Sequence, residues 1–170
     1  MKRIIKIIAC LVIIFSNIGC DQITKEKARN QISNHETISI IKNNFMLTKV
    51  ENTGATLSLG SNLNPSLKII FLQILPLAVL VLLFFYMVKE KSISKLNLIA
   101  FSFIIGGGIG NIYDRILYNS VTDFMYLEWG VLHTGIFNMA DVSVVVGTLL
   151  LLLNYTISEV KNRNFINTKL

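Results

Sequence analysis

The sequence has few charged residues, and this scarcity excludes most soluble folds. Asp, Glu, Lys and Arg make up 15% of the chain, whereas hydrophobic residues make up 52%. Soluble domains carry about 25% charged residues. Mean hydropathy is +0.59. The composition therefore predicts a membrane protein, and the length predicts one integral membrane domain over residues 1–170.

Cysteine and histidine are also scarce. The chain has two histidines and two cysteines, and both Cys10 and Cys20 lie in the first apolar segment. A disulfide framework is not expected, and no spacing suggests a metal site. The net charge of +6 would fit nucleic acid, but the basic residues lie beside apolar runs rather than among aromatics. We therefore predict no metal, no cofactor and no nucleic-acid partner.

Four apolar runs are long enough to cross a bilayer, which takes about 20 residues. They cover residues 4–20, 69–88, 96–112 and 136–157, and the third can extend toward Leu117. The predicted fold is an all-α membrane protein with four transmembrane helices. The first run also resembles a bacterial lipoprotein signal that ends at Cys20. Asn17 fits that alternative poorly, and three further spans argue against it.

The basic residues predict the orientation of these spans. Nine of the 16 lie before the first span, between the second and third, or after the fourth: Lys2, Arg3, Lys6, Lys89, Lys91, Lys95, Lys161, Arg163 and Lys169. Cytoplasmic loops are enriched in Lys and Arg. Both termini are therefore expected in the cytoplasm, with residues 21–68 and 113–135 facing outward.

The first outer segment, residues 21–68, has the pattern of a small folded platform. Residues 38–41 and 45–50 are rich in β-branched and apolar side chains, and Asn43-Asn44 between them is a turn signal. We expect a strand-containing extracytoplasmic platform there.

Two aspartates suggest chemistry. Asp141 lies about six residues into the fourth apolar run, or roughly 9 Å below its outer end at 1.5 Å per residue. A carboxylate at membrane depth is costly and indicates a functional site. Asp123 lies in the second outer segment, so both can meet near the outer surface. Two aspartates that share a proton can activate water for peptide hydrolysis, which makes a membrane protease the leading hypothesis.

Other roles for these residues stay open at this point. Asp141 could be a structural aspartate, or it could bind a cation in a small transporter. A transporter predicts a polar stripe along several helices, yet the second span offers only Gln73. A membrane scaffold would require the two aspartates to lie far apart. Asp123, taken alone, fits an exposed loop carboxylate.

Glycines and an arginine in the third span allow two interpretations each. The four glycines fit close helix packing better than phosphate binding, because no strand precedes them and no P-loop lysine follows. They are Gly106, Gly107, Gly108 and Gly110. Arg115 can form a salt bridge to Asp114 or anchor the interface. It can equally bind a substrate carbonyl or a lipid phosphate.

Five short motifs occur together along the outer ends of the spans. They are Asp21-Gln22-Ile23-Thr24-Lys25, Glu51-Asn52-Thr53-Gly54-Ala55, Asn111-Ile112-Tyr113-Asp114-Arg115, Val121-Thr122-Asp123-Phe124 and Phe137-Asn138-Met139-Ala140-Asp141. In this order the chain resembles the lipoprotein signal peptidase family, signal peptidase II, over nearly its whole length. Asn119 stands where many members have glycine, and Thr134-Gly135 replaces a common aromatic-proline pair.

The resemblance implies an aspartyl endopeptidase of the bacterial inner membrane, acting as a monomer with its site toward the outer face. Its partners would be membrane lipids and prolipoproteins that carry diacylglyceryl on a cysteine, and it would cut before that cysteine. Asp123 and Asp141 match the catalytic pair. The substrate-binding positions matched are Asn52, Gly54, Arg115 and Asn138. The supporting positions matched are Asp21, Lys25, Asn111 and Asp114.

Overall fold

Among the residues that the structure describes, four helices are long and apolar enough to cross a membrane, which confirms the predicted fold class. The computed structural model describes residues 3–33, 36–42, 44–55 and 58–167. Lys2, Asn43 and Lys169, which entered the predictions above, lie outside the described residues. The helices are α1 (Arg3–Gln31), α2 (Pro65–Ile69) with α3 (Leu75–Lys89), α4 (Lys95–Tyr118) and α5 (Met139–Asn167).

The first helix continues well past the end of its apolar run. It reaches Gln31 rather than ending near residue 20, because no proline or glycine follows Cys20 within it. Asp21 and Lys25 are four residues apart and form an ion pair on one face. The hydropathy pattern marks where hydrocarbon ends, not where hydrogen bonding ends. Similarly, α4 continues to Tyr118 and stops where Asn119 adopts a left-handed backbone, φ 56°.

The second span contains a wide helical turn. Residues Ile70–Ile74 form a π-helix between α2 and α3, and the Leu75 N–H donates to the Ile70 carbonyl five residues earlier. Pro76 follows at the start of α3. Proline has no N–H to donate to the carbonyl four residues before it, so a widened turn is a natural local solution.

The strands form one antiparallel series in the order β1-β2-β3-β4. They are β1 (Thr37–Ile41), β2 (Phe45–Asn52), β3 (Val121–Trp129) and β4 (Leu132–His133). Both expected strands of the first outer segment are present. The second outer segment adds β3, which the sequence did not predict. Since β3 pairs with β2, Asp123 lies opposite Val50 in a strand rather than in an exposed loop.

Close packing around α4 explains its glycines. A Cβ built on Gly107 would collide with the Ala140 carbonyl oxygen of α5. One on Gly106 would lie 2.8 Å from the Asn17 Cβ of α1, and one on Gly108 would lie 2.6 Å from a Leu80 methyl of α3. Three neighbouring helices therefore approach one glycine-rich turn, as small residues permit in membranes.

Candidate active site

Asp123 and Asp141 lie on different elements but line the same cavity of about 710 Å³. Asp123 is in β3 and only 4% exposed. Asp141 is in the first turn of α5, since that helix begins at Met139 and not near residue 136 as expected. The aspartate therefore lies at the helix start rather than six residues inside it.

A backbone bridge holds β3 beside the start of α5. The Phe137 N–H donates to the Met125 carbonyl at 2.9 Å, and the Met125 N–H donates back to the Phe137 carbonyl at 2.9 Å. This bridge places Asn138, the next residue, within reach of Asp123. The extended segment before α5 thus acts as a short partner to β3 and brings the two aspartates together.

Asn138 and Asp141 form a reciprocal cap at the helix start. The Asp141 N–H donates to Asn138 Oδ1 at 3.0 Å, and the Asn138 N–H donates to Asp141 Oδ2 at 3.1 Å. This is the geometry of a capping box, in which two otherwise unpaired N–H groups are satisfied together. A second free N–H of the first turn, that of Ala140, donates to Asp21 Oδ1 of α1 at 2.8 Å.

Each oxygen of the two carboxyl groups accepts a hydrogen bond. Asp123 Oδ1 accepts from Asn138 Nδ2 at 2.6 Å, and Asp123 Oδ2 accepts from Asn52 Nδ2 at 3.1 Å. Asp141 Oδ1 accepts from Asn111 Nδ2 at 2.9 Å. Asn138 therefore contacts both aspartates, through its side chain on one and its backbone on the other.

The two carboxyl groups have unequal electrostatic surroundings. The pKa of Asp123 is raised to about 6, chiefly by burial and also by the nearby charge of Asp141, while hydrogen bonds from Asn52 and Asn138 oppose the rise. Asp141 instead lies at the N-terminus of α5, at the positive end of the helix dipole, and its Oδ2 accepts from the Asn138 N–H. The two carboxyl groups therefore stand in different electrostatic environments.

A fully buried ion cluster lies behind this site. Lys25 Nζ is 2.8 Å from Asp21 Oδ2 and 3.2 Å from Asp114 Oδ2, and the side chains of all three are 0% exposed. Lys25 also donates to Asn111 Oδ1 at 2.9 Å. An ammonium only donates, so it requires the oxygen of Asn111 and leaves the amide N–H₂ to face Asp141. The cluster thereby orients a group that contacts the candidate dyad.

Asn52, Gly54 and Arg115 form one hydrogen-bonded corner of the cavity. Asn52 Oδ1 accepts from the Gly54 N–H at 2.9 Å, while Arg115 Nη2 donates to the Gly54 carbonyl at 2.8 Å. A Cβ on Gly54 would lie 2.6 Å from the Leu59 carbonyl oxygen, so only glycine fits. Within the described residues, Asp114 pairs with Lys25 and Arg29 rather than with Arg115.

All ten residues predicted for the site therefore belong to one connected region. Asp123, Asp141, Asn52, Asn138, Asn111 and Arg115 line the cavity. Gly54 bonds to two of these. Asp21, Lys25 and Asp114 form the ion cluster behind them.

Other members of the network were missed. Arg29 is 2.9 Å from Asp114 Oδ2, and its Nε donates to Thr122 Oγ1 at 2.7 Å. Thr122 donates in turn to Glu51 Oε1 at 2.8 Å. Gln22 Nε2 donates to both Asp21 and Asp114 at 3.1 Å. Arg29 lies four residues after Lys25, so helical spacing would have identified it had α1 been extended past its apolar run.

Most of the remaining cavity wall is apolar, and much of it is formed by membrane-spanning elements. Its lining includes Phe71 and Leu72 of the π-helical turn, Pro76, Ile112 and residues 144–146 of α5. Such a wall suits a hydrophobic ligand approached from the bilayer. Within the part of the chain that the structure describes, no group of three or more His, Cys, Asp or Glu side chains could hold a metal ion.

Comparisons with known proteins identify the family of this chain. Residues 12–157 match the family described as Signal peptidase (SPase) II. The chain is 37% identical over 142 residues to a lipoprotein signal peptidase of Clostridium novyi, covering 83% of this chain and 92% of that one. It is 34% identical over 154 residues to a lipoprotein signal peptidase of Borrelia hermsii, covering 87% and 89%.

The fold also matches solved structures. A bacterial membrane enzyme determined by the in meso method superposes with a TM-score of 0.78 at 24% identity, over 89% of each chain. A second such structure gives 0.74 at 23% identity, over 86% of this chain and 92% of that one. With a family match over most of its length and relatives above 30% identity, the chain belongs to the signal peptidase II family of membrane proteases.

Proposed function

We propose that this protein is an aspartyl endopeptidase that removes signal peptides from diacylglyceryl-modified prolipoproteins, cutting just before the lipidated cysteine. The observation that carries the proposal is the pairing of Asp123 and Asp141 across Asn138 in one cavity. The names of the relatives support the substrate class. Two hydrogen-bonded carboxyl groups in unequal surroundings can serve as a general acid and a general base.

In the proposed mechanism, Asp141 is ionised and Asp123 is protonated. Asp141 takes a proton from water as the water attacks the scissile carbonyl, and Asp123 polarises that carbonyl by donating to its oxygen. The C–N bond then breaks as Asp141 passes its proton to the leaving nitrogen and the carbonyl oxygen returns its proton to Asp123. The raised pKa of Asp123 and the helix start under Asp141 support this assignment. Asn52, Gly54, Arg115 and Asn138 are proposed to contact substrate. Asp21, Lys25, Asn111 and Asp114 are proposed to hold the dyad in position.

The apolar wall of the cavity is proposed to hold the signal helix and acyl chains. The acyl chains of a lipidated substrate can strengthen its binding, since each buried methylene contributes about 0.8 kcal/mol of binding free energy. The π-helical turn supports this because Phe71 and Leu72 within it line the cavity. We also propose that the protein acts as a monomer, since one chain by itself supplies a hydrogen-bond donor to each oxygen of the two carboxyl groups.

We further propose an inner-membrane location with both termini cytoplasmic and the site toward the outer face. The opposite end of the bundle holds the turn after α3, where Lys6 donates to the Glu90 carbonyl at 2.6 Å. That turn carries Lys89, Lys91 and Lys95, as cytoplasmic turns do. Reporter fusions at the C-terminus and within the β1–β2 turn would report the two sides, and an outward C-terminus would contradict the orientation.

The test of function is cleavage of a purified lipidated prolipoprotein, with mass spectrometry of both products. The expected products are a free signal peptide and a mature protein that begins with the lipidated cysteine. The unlipidated precursor is the matched substrate control and should be cut far more slowly. Equal cleavage of both precursors, or cleavage at another bond, would contradict the proposed specificity.

A further inference from the structure

A second cavity, of about 420 Å³, adjoins the candidate active site and is basic. Its polar lining consists of Thr53, Lys68, Gln73, Arg115 and Asn119, and none of its lining residues is acidic. It shares Leu72 and Arg115 with the first cavity. Arg115 therefore lines both the candidate active site and a neighbouring cavity whose charged lining residues, Lys68 and Arg115, are both positive.

Among the described residues, neither Lys68 nor Arg115 is held in a direct ion pair, although the carboxylates of Asp123, Asp141 and Asp114 act on Arg115 from a greater distance. Arg115 donates to the carbonyls of Gly54 and Asn111, and its Nε is buried without a hydrogen-bond partner in the described part of the chain. Two cations over a partly enclosed, low-dielectric space attract an anion, and guanidinium geometry matches phosphate oxygens.

The position of the cavity indicates which anion it meets. Lys68 lies in α2, at the beginning of the second span, and Arg115 lies in the last turn of α4. Both are at the end of the bundle that carries the candidate active site. Lipid headgroups occupy this depth at the bilayer surface, and lysine or arginine near the surface binds their phosphates. Gln73, Asn119 and Thr53 add neutral hydrogen-bonding groups around the same space.

We propose that this cavity binds a phosphate group, that of an anionic phospholipid of the surrounding leaflet, through Lys68 and Arg115. A phosphate there would hold Arg115 in its place at the corner of the catalytic cavity, beside Gly54. Occupancy therefore favours the arrangement in which substrate is cut. Free inorganic phosphate shares the same chemistry, but it lacks the acyl chains that the apolar helix ends around the cavity would retain.

The binding test uses the purified full chain in detergent micelles and measures thermal unfolding. The probes are dioleoylphosphatidylglycerol, dioleoylglycerol, which lacks the phosphate, and inorganic phosphate. We expect only the phospholipid to raise the midpoint strongly. Lys68→Ala should raise the half-saturating lipid fraction about tenfold, whereas Lys68→Arg should retain binding. Lys89→Ala, at the other end of the same span, is the matched control.

The activity test rests on the function proposed above, whereas the thermal test does not. Cleavage of lipidated prolipoprotein is measured in vesicles with rising phosphatidylglycerol content. Wild-type activity should rise several-fold and Lys68→Ala activity should stay at its basal level. If wild type fails to cut substrate but the thermal shift persists, the lipid site stands and the proposed function fails.

Other outcomes decide the remaining points. A shift caused by inorganic phosphate and weakened by Lys68→Ala would support the phosphate site and assign it to the free anion. Equal shifts by phosphatidylglycerol and dioleoylglycerol would overturn the proposal, because the phosphate would then contribute nothing. Identical lipid titrations of wild type, Lys68→Ala and Lys89→Ala would overturn it as well.

Discussion

The regions around Asp141 and Asp123 are constructed by different means. At the start of α5, the position of Asp141 follows from its own neighbours, since Asn138 and Asp141 cap one another within four residues. In β3, the position of Asp123 depends on distant segments, because its oxygens bond to Asn52 of β2 and to Asn138. One aspartate is therefore placed locally and the other by tertiary pairing.

The difference also separates the electrostatics of the two groups. A helix start exposes N–H groups that favour a negative charge. A central strand offers no such field, and burial there favours the neutral acid, which is why the pKa of Asp123 rises to about 6. The same residue type thus meets two different electrostatic environments, set by the element that carries each aspartate.

The largest expected effect comes from removing either carboxyl group. Asp141→Asn and Asp123→Asn should each reduce kcat by about 10²–10⁴-fold, since the amide keeps the shape but cannot exchange the proton. The measurement is single-turnover cleavage of lipidated prolipoprotein by protein shown to insert in the membrane. Glu26→Gln, on the exposed face of α1, is the matched control. Near wild-type cleavage by either aspartate variant would refute the aspartyl mechanism.

Breaking the buried ion cluster should act on stability first. Lys25→Met leaves Asp21 and Asp114 buried with less positive charge near them, which costs about 3–5 kcal/mol when a buried pair is broken. The free energy of unfolding in detergent is the measurement. Lys27→Met, at an exposed position on the same helix, should change it little. An unchanged unfolding curve for Lys25→Met would show that Arg29 alone neutralises the two aspartates.

Removing the strand-side donor should weaken but not abolish cleavage. Asn52→Ala loses the hydrogen bond to Asp123 Oδ2 and the bond from the Gly54 N–H. We expect kcat/KM to fall by one to two powers of ten, about 1.4 kcal/mol for each. Cleavage rate against substrate concentration measures it, alongside Asn62→Ala at an exposed position of the same outer segment. Unchanged kinetics in a folded variant would show that Asn52 is only a turn residue and has no part in cleavage.

The smallest expected effect is a shift in pH dependence. If Asp123 is the acid, kcat/KM should fall as pH rises through about 6, because its proton is then lost. The hydrogen bond from Asn52 lowers the pKa of Asp123. Asn52→Ala should therefore move this fall in kcat/KM to higher pH. A limb near pH 6 on which activity rises with pH would assign the base to Asp123 instead, reversing the two roles.

The sequence indicated the candidate site in two ways. Asp141 stood out as a carboxylate within an apolar run, whereas most of the other residues, Asp21 and Lys25 among them, came from the resemblance to signal peptidase II. The helix ends were harder to predict. Hydropathy reports the edge of hydrocarbon, so the last turns of α1, including Arg29, were placed in an outer segment. For the same reason, α5 was expected to begin at residue 136, although Asn138 caps it.

The composition and the lengths of the apolar runs alone determined the four spans, since about 20 apolar residues must leave water together. The tertiary structure decided that β3 pairs with β2, that Phe137 bridges β3, and that Asp123 reaches Asn138. Strand pairing depends on partners about 70 residues apart, as between Asn52 of β2 and Val121 of β3. A local sequence pattern does not indicate such a partner, because register and packing, rather than neighbouring residues, determine which groups bond across a sheet.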